Sequence, residues 1–194
     1  MDWLLFGVFI FLMLSGVPLA VAMGLAGVAV VAAADLGMMS LPTNVYTGIA
    51  KYPLMAIPVF VIAGLIFEKA GVAATIVRFA SALVGQRRGS LAIVAILVAM
   101  ILGGISGSGP ADSAAVGAVM LPSMLKAGYP RSFTAGVIAA AGSTDILIPP
   151  SIAFVIYSLL VPQASVPALF AAGMIPGILS GLTLILVAWW LSVR

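Results

Sequence analysis

The sequence predicts an all-α polytopic membrane protein, and three observations lead there. Hydrophobic residues make up 64% of the 194 positions, charged residues only 7%, and the mean hydropathy is +1.33; a soluble fold of this size needs more polar surface than that. Residues 3–34 carry no charged side chain at all. Further apolar stretches recur along the chain, separated by short segments in which basic residues collect. The formal charge of +3 therefore reads as a topology signal, and no charge run or basic-aromatic patch points to nucleic acid. Cysteine and histidine are both absent, which removes disulfides, thiolate or imidazole metal sites and histidine-based nucleophilic catalysis. Hydroxyls, carboxylates, backbone groups and helix ends are left to do any chemistry.

The first apolar run exceeds the roughly 20 residues one span needs, so it is either strongly tilted or bent near Gly16-Val17-Pro18. Ala20-Val21-Ala22 has the small-x-small form of a signal-peptide cleavage site. The only charge before the run is Asp2, however, where a signal carries Lys or Arg, so the segment reads as retained. Residues 35–51 make the first polar break, with Pro42 and Asn44 as turn formers and Tyr46 and Tyr52 as interface anchors. Residues 52–67 are apolar, short, and carry Pro53 and Pro58. From 68 to 89, Lys69, Arg78, Arg87 and Arg88 accompany a helical face of Ile76, Val77, Phe79, Ala80 and Leu83, a pattern that suits a helix lying along the membrane surface.

Residues 91–125 hold two apolar arms around GGISGSGPADSAAVG at 103–117. An arm of some 15 residues rises about 22 Å, short of a hydrocarbon core about 30 Å thick. Arg87 and Arg88 precede the first arm, and Lys126 and Arg131 follow the second. If basic residues stay cytoplasmic, both feet stand on one side and the segment is a re-entrant hairpin whose tip is the glycine-serine stretch. The competing reading is one continuous span kinked at Pro110. The following unit, 132–161, contains GSTDILIPPS at 142–151; adjacent Pro149 and Pro150 cannot sit in an unbroken helix interior, so this reads as a discontinuous transmembrane helix. After the external loop VPQASVP, a last span runs from 169 to 193, with Trp189, Trp190 and Arg194 at its cytoplasmic end. The same rule puts the amino terminus inside and 35–51 outside, with Lys51 as the exception.

An unwound backbone inside a bilayer needs protein or a water-filled cavity to satisfy it, and a common cavity accounts for both breaks. Half-helix carbonyls there can coordinate a cation such as Na⁺, and half-helix amides can hold an anion. Ser106, Ser108, Ser143, Thr144 and Ser151 add hydroxyls; Gly107 and Gly142 let backbones approach closely; Pro149 and Pro150 hold the second break open. Asp112 reads either as a capping or first-turn residue of the returning arm or as a direct ligand. Asp145, placed in the unwound segment, either binds a cation or proton or pairs with backbone amides. This donor set suits a carboxylate-bearing solute with a hard cation, the Na⁺ candidates being Ser106, Ser108 and Asp145. Gly104-Ile105-Ser106-Gly107 has the G-x-S-G form of intramembrane serine proteases. No histidine base exists, and Lys51, Lys69 and Lys126 sit at membrane edges, so the sequence argues against an enzyme.

GGISGSGPADSAAVGAVMLPSM, KAGYPRSFTAGVIAAAGSTDILIPPSIAFVIYS and LFAAGMIPGIL together resemble the large membrane subunit of TRAP transporters, the DctM-like permeases. LMAIPVFVIAGLI at 54–66 and ALVGQRRGSLAIV at 82–94 extend the resemblance over nearly the whole chain, and it is most specific at Ser106, Gly107, Ser108, Ala111 and Asp112 and in LIPPS at 147–151. The resemblance implies sodium-coupled uptake of an organic acid of the carboxylate or sialic acid type. It also implies an elevator-type fold of the ion-transporter superfamily and a multi-pass location in the bacterial inner membrane. Residues 1–90 would be scaffold-like helices with an interfacial helix. Residues 91–161 would be half of a transport domain, with a hairpin (91–125) and a broken helix (132–161), and 162–194 an external loop and following span. The implied partners are a DctQ-like small membrane subunit, a DctP-like periplasmic solute-binding protein, the solute and membrane lipid. No nucleic acid and no cofactor beyond the coupling ion are implied. Asp145 departs from the glycine the family often has before ILIPPS. Family subunits are also roughly twice as long, carrying a second inverted repeat, so this chain resembles an amino-terminal half that contributes half a binding site. The alternative function is a non-transporting membrane scaffold or assembly subunit, whose breaks are kinks packed on partner helices.

Overall fold

The computed structural model describes residues 2–85, 87 and 89–193, except for the side chain of Glu68, and every regular element among them is helical. The expectations placed on Arg88 and Arg194 lie outside the described residues. The chain divides into two units, Met1–Lys51 and Tyr52–Arg194.

In the first unit, α1 (Asp2–Leu14) and α2 (Leu19–Ala33) are separated where Gly16 takes a φ of +81° and Pro18 starts the next helix. The two helices pack on one another, and Ala22 and Ala26 of α2 are buried. The long uncharged run is thus not a tilted rod; it bends at Gly16-Val17-Pro18, where glycine's freedom at positive φ lets the chain fold back. Residues 40–49 correct an expectation. They form helix α3 (Ser40–Ile49), with Pro42 and Asn44 inside it. Proline is tolerated in a first turn, where its missing amide has no intrahelical partner to lose. Thr43 and Thr47 return their hydroxyls to Met39 and Thr43 carbonyls at 3.1 and 2.9 Å.

The second unit begins with a single 3₁₀ turn, Tyr52–Met55, followed by α4 (Ala56–Lys69), α5 (Val72–Val84), α6 (Ser90–Ser106), α7 (Gly109–Lys126), α8 (Arg131–Asp145), α9 (Ile152–Leu160) and α10 (Val166–Val193). Helix α6 is apolar on every side, and such a helix belongs at a centre. It buries Ala92, Val94, Ala95, Ile96, Val98, Ala99 and Leu102 and packs against α4, α5, α7, α8 and α10. Helix α7 brings Val116, Met120 and Met124 to this core at four-residue spacing, and α8 brings Thr134, Ile138, Ala141 and Asp145 on one stripe. Helix α5 packs through Ala73, Ile76, Val77, Ala80 and Val84. Phe79 and Leu83, expected on the same face, are 58% and 69% exposed. Four residues apart, they share a face about 100° to one side of the packed stripe. Among the described residues, α10 is the one helix that is by itself long and apolar enough to cross a membrane; its 28 residues rise about 42 Å.

Helix α10 approaches the others through Gly173, Gly177 and Gly181. A Cβ on Gly177 would lie 3.2 Å from the Leu147 carbonyl carbon and 3.3 Å from the Ile148 nitrogen, both backbone atoms. Gly177→Ala is therefore expected to lower stability by about 1–3 kcal/mol, since the obstruction cannot rotate away. Gly24, in mid-helix with nothing within 4 Å of an added Cβ, is the counterpart, and Gly24→Ala is expected to gain about 0.5–1 kcal/mol. Thermal melts of both variants in detergent check the pair.

Candidate functional site

Helices α6 and α7 form a hairpin. The chain reverses at Gly107, whose φ is +66°, and Ser108 occupies the N-cap position of α7. The arms pack against each other, and their feet, Ser90 with Leu91 and Ala127 with Gly128, line one cavity. A single span kinked at Pro110 is thereby replaced by a chain reversal three residues earlier; Pro110 sits in the first turn of α7, where proline fits.

The second interruption is shorter than the sequence suggested. Gly142, Ser143, Thr144 and Asp145 are helical, and the break runs only from 146 to 151, with a cis bond between Pro149 and Pro150. A proline restricts the residue before it and removes the hydrogen bond to the residue four before it, so Pro149 leaves α8 free to continue to Asp145.

The two interruptions meet, and glycine makes the meeting possible. A Cβ on Gly107 would collide with the Pro150 carbonyl oxygen and lie 3.2 Å from Ser151 Cα. The Ile152 amide donates to the Gly107 carbonyl at 3.2 Å. One turn deeper, a Cβ on Gly103 would overlap Asp145, 2.8 Å from its Cα and 2.9 Å from its carbonyl oxygen. On the returning arm, Gly109 faces the Gly142 carbonyl, 2.5 Å from where its Cβ would be, and Gly142 in turn lies against Ser113. The expected common cavity is therefore not between the breaks, where backbones touch. A cavity of about 90 Å³ lies on the other side of the tip, walled by Phe60, Gly64 and Phe67 of α4 and by Ser106, Ser108 and Asp112.

The candidate residues sort by what their polar atoms do. Ser106, buried, donates its hydroxyl to Asp112 Oδ2 at 2.5 Å and accepts the Ser108 amide at 3.2 Å. Asp112 is buried in the first turn of α7, as its helix-start reading anticipated, and its carboxylate is engaged by the tip itself. The Ser108 hydroxyl makes no cap bond and faces the cavity. Ser143 and Thr144, by contrast, donate to the Ala140 and Ala141 carbonyls of their own helix at 2.7 and 2.8 Å. They line a groove toward Ser180 and Thr183 of α10 instead of the tip. Ser151 is fully buried as the N-cap of α9, accepting the Phe154 amide at 3.4 Å.

Asp145 is different from all of these. It is 0% exposed, and neither carboxylate oxygen has a hydrogen-bond partner among the described residues. A buried ionised carboxylate left alone is costly by several kcal/mol, a cost that either a proton or a bound cation removes. No cluster of three or more acidic ligands exists among the described residues. Gly103 and Gly109 belong to the site although sequence reasoning did not single them out; the signal was a glycine in each hairpin arm next to the tip.

Comparison with known proteins shows the family. The family described as the DctM component of the tripartite ATP-independent periplasmic transporter matches residues 6–194. The isethionate TRAP transporter permease protein DctMQ of Oleidesulfovibrio alaskensis is 39% identical over 189 residues, covering 97% of this chain and 30% of that protein. The C4-dicarboxylate TRAP transporter large permease protein DctM of Vibrio cholerae is 41% identical over 185 residues, covering 94% and 41%. The 2,3-diketo-L-gulonate TRAP transporter large permease protein YiaN of Escherichia coli is 39% identical over 180 residues, covering 92% and 42%. The chain thus spans less than half the length of these relatives. With a family match over nearly its whole length, it belongs to the DctM family of TRAP transporter permeases.

Proposed function

We propose that this chain supplies one half of the transport site of a sodium-coupled organic-acid permease. In this reading it lies in the bacterial inner membrane as a multi-pass segment, with the α6–α7 hairpin re-entrant and α8–α9 a discontinuous span. It works in a tripartite system with a DctQ-like small subunit and a DctP-like solute-binding protein. Helix α5 lies at the membrane surface, and the transport half moves as an elevator against the α4 side. Asp145 is the observation that carries the proposal, because a buried carboxylate whose oxygens have no hydrogen-bond partner among the described residues, at the contact of two interrupted helices, suits a cation there. The relatives are named for isethionate, C4-dicarboxylates and 2,3-diketo-L-gulonate. All three are small organic anions, which the Ser108 hydroxyl and the amino end of α7 suit. Sodium would be held by Asp145 and tip carbonyls. Ser108 is the uncommitted hydroxyl of the tip, on the α4-side cavity rather than against Asp145, since Ser106 is committed to Asp112.

The chain contains no cysteine, so a single introduced one reports cleanly. Ser108→Cys in membrane vesicles is expected to react with a water-soluble maleimide, and sodium together with the organic acid is expected to slow that reaction about tenfold or more. Labelling at one rate under every ionic condition would sink sodium coupling at this tip. Complete inaccessibility would favour the packed scaffold.

A further inference from the structure

We propose that the cavity at the feet of the hairpin is a binding site for a phosphate-bearing anion of the anionic-phospholipid type. It lies at the opposite end of α6 from the tip and is an open hollow of about 860 Å³ between the starts of α6 and α8 and the ends of α7 and α10. That volume is in the range of small-molecule sites. Among the described residues, Arg87 is the one charged residue in its walls and no carboxylate lines it. Helix ends add about half a unit charge each, positive at amino ends and negative at carboxyl ends. Two of each meet here, so they cancel and the full charge of Arg87 remains.

The donors are as telling as the charge. Helix α6 starts after Gly89, which has a φ of +85°, and α8 starts after Pro130; neither residue caps its helix with a side chain. Ser90 lines the cavity and is only 9% exposed, yet its hydroxyl is given no hydrogen bond by any described residue. Its backbone amide alone is engaged, to the Arg87 carbonyl at 3.0 Å. Against these donors, the end of α7 competes little. Its carbonyls at Ser123, Met124 and Leu125 already accept the Ala127, Tyr129 and Gly128 amides, each at 3.1 Å. The remaining wall is apolar: Tyr129 stacks on Phe133 with ring centroids 5.8 Å apart, and Leu91 and Leu191 stand beside them. A phosphate near Arg87 and Ser90 with glycerol and acyl carbons along the aromatic wall uses both halves of the surface. Such an occupant would tie both feet of the hairpin to the end of α10.

The test is a thermal melt of the protein in phosphatidylcholine nanodiscs doped with increasing phosphatidylglycerol, with inorganic phosphate added to undoped discs as the second arm. Phosphatidylglycerol is expected to raise the midpoint, and Arg87→Gln to need about fivefold more of it for the same shift. Lys69→Gln, outside the cavity walls, is expected to respond like the wild type. A shift from inorganic phosphate alone keeps the anion site and assigns it to a soluble ligand. If Arg87→Gln does not fold, Ser90→Ala carries the test with the charge in place: a weakened response supports the site, an unchanged one overturns it. No shift with either probe, or an Arg87→Gln response equal to the wild type's, also overturns it.

Discussion

Replacing Asp145 with asparagine is expected to raise the melting temperature in sodium-free medium and to abolish the stabilisation that sodium gives the unmodified chain. Most substitutions of a fully buried polar residue destabilise, so the sign is the informative part. Asp145 is 0% exposed and its two carboxylate oxygens have no partner among the described residues. An uncompensated buried charge costs about 3–5 kcal/mol. Asparagine has nearly the same shape and no charge, and an unsatisfied amide costs about 1–3 kcal/mol, which leaves a net gain of roughly 2 kcal/mol in the absence of a cation at a pH high enough to keep the carboxylate ionised. With sodium the order narrows or reverses, because a cation present at ten times its Kd contributes about 1.4 kcal/mol to the wild type and nothing to the variant. Melts in sodium chloride against choline chloride read both effects. An Asp145→Asn protein that melts lower than wild type in choline and keeps its sodium shift would show that the carboxylate has its partner inside the protein and that sodium binds elsewhere. Absence of a sodium shift in both proteins would count against sodium coupling itself.

How far the sequence reveals this site depends on the physical rule each residue obeys. Covalent restrictions read directly: Pro149 and Pro150 set the break, Gly107 sets the reversal, and both lie where the sequence places them. Periodicity reads less well when a segment mixes small polar residues with apolar ones. Gly142, Ser143 and Thr144 are weak helix formers, which made 142 look like a helix end. Yet Asp145 follows Ala141, Ile138 and Thr134 on one helical stripe, and that stripe is the buried one. On α5, Ala73, Ile76, Val77, Ala80 and Val84 make a complete stripe, and the larger Phe79 and Leu83 drew attention from it. Tertiary contacts such as Gly103 against Asp145 have no local signature at all. A glycine that admits a neighbouring backbone looks the same in sequence as one with open space around it, as Gly24 has.

The contact between tip and break can be tested at its tightest point by adding one methyl group. Gly107→Ala is expected to lower stability by about 2–5 kcal/mol and to remove the ion dependence of Ser108→Cys labelling. Two costs add. The first is the left-handed backbone at φ +66°, about 1–2 kcal/mol for a residue with a Cβ. The second is overpacking, about 1–3 kcal/mol, because the Cβ would collide with the Pro150 carbonyl and lie 3.0 Å from its carbon. The Pro150 carbonyl is backbone and cannot rotate out of the way as a side chain could, so relief must come from separating the hairpin from the break. That separation would also stretch the Ile152 amide to Gly107 carbonyl bond, now 3.2 Å. Gly128 isolates the first cost from the second, for its φ is +87° and nothing lies within 4 Å of an added Cβ. Gly128→Ala should therefore lose about 1–2 kcal/mol and leave the labelling of Ser108→Cys unchanged. Equal losses in the two variants would mean that the tip gives way easily and that its fit against Pro150 is not what shapes the site; a larger loss at Gly107, with the ion response gone, ties the response to that backbone contact.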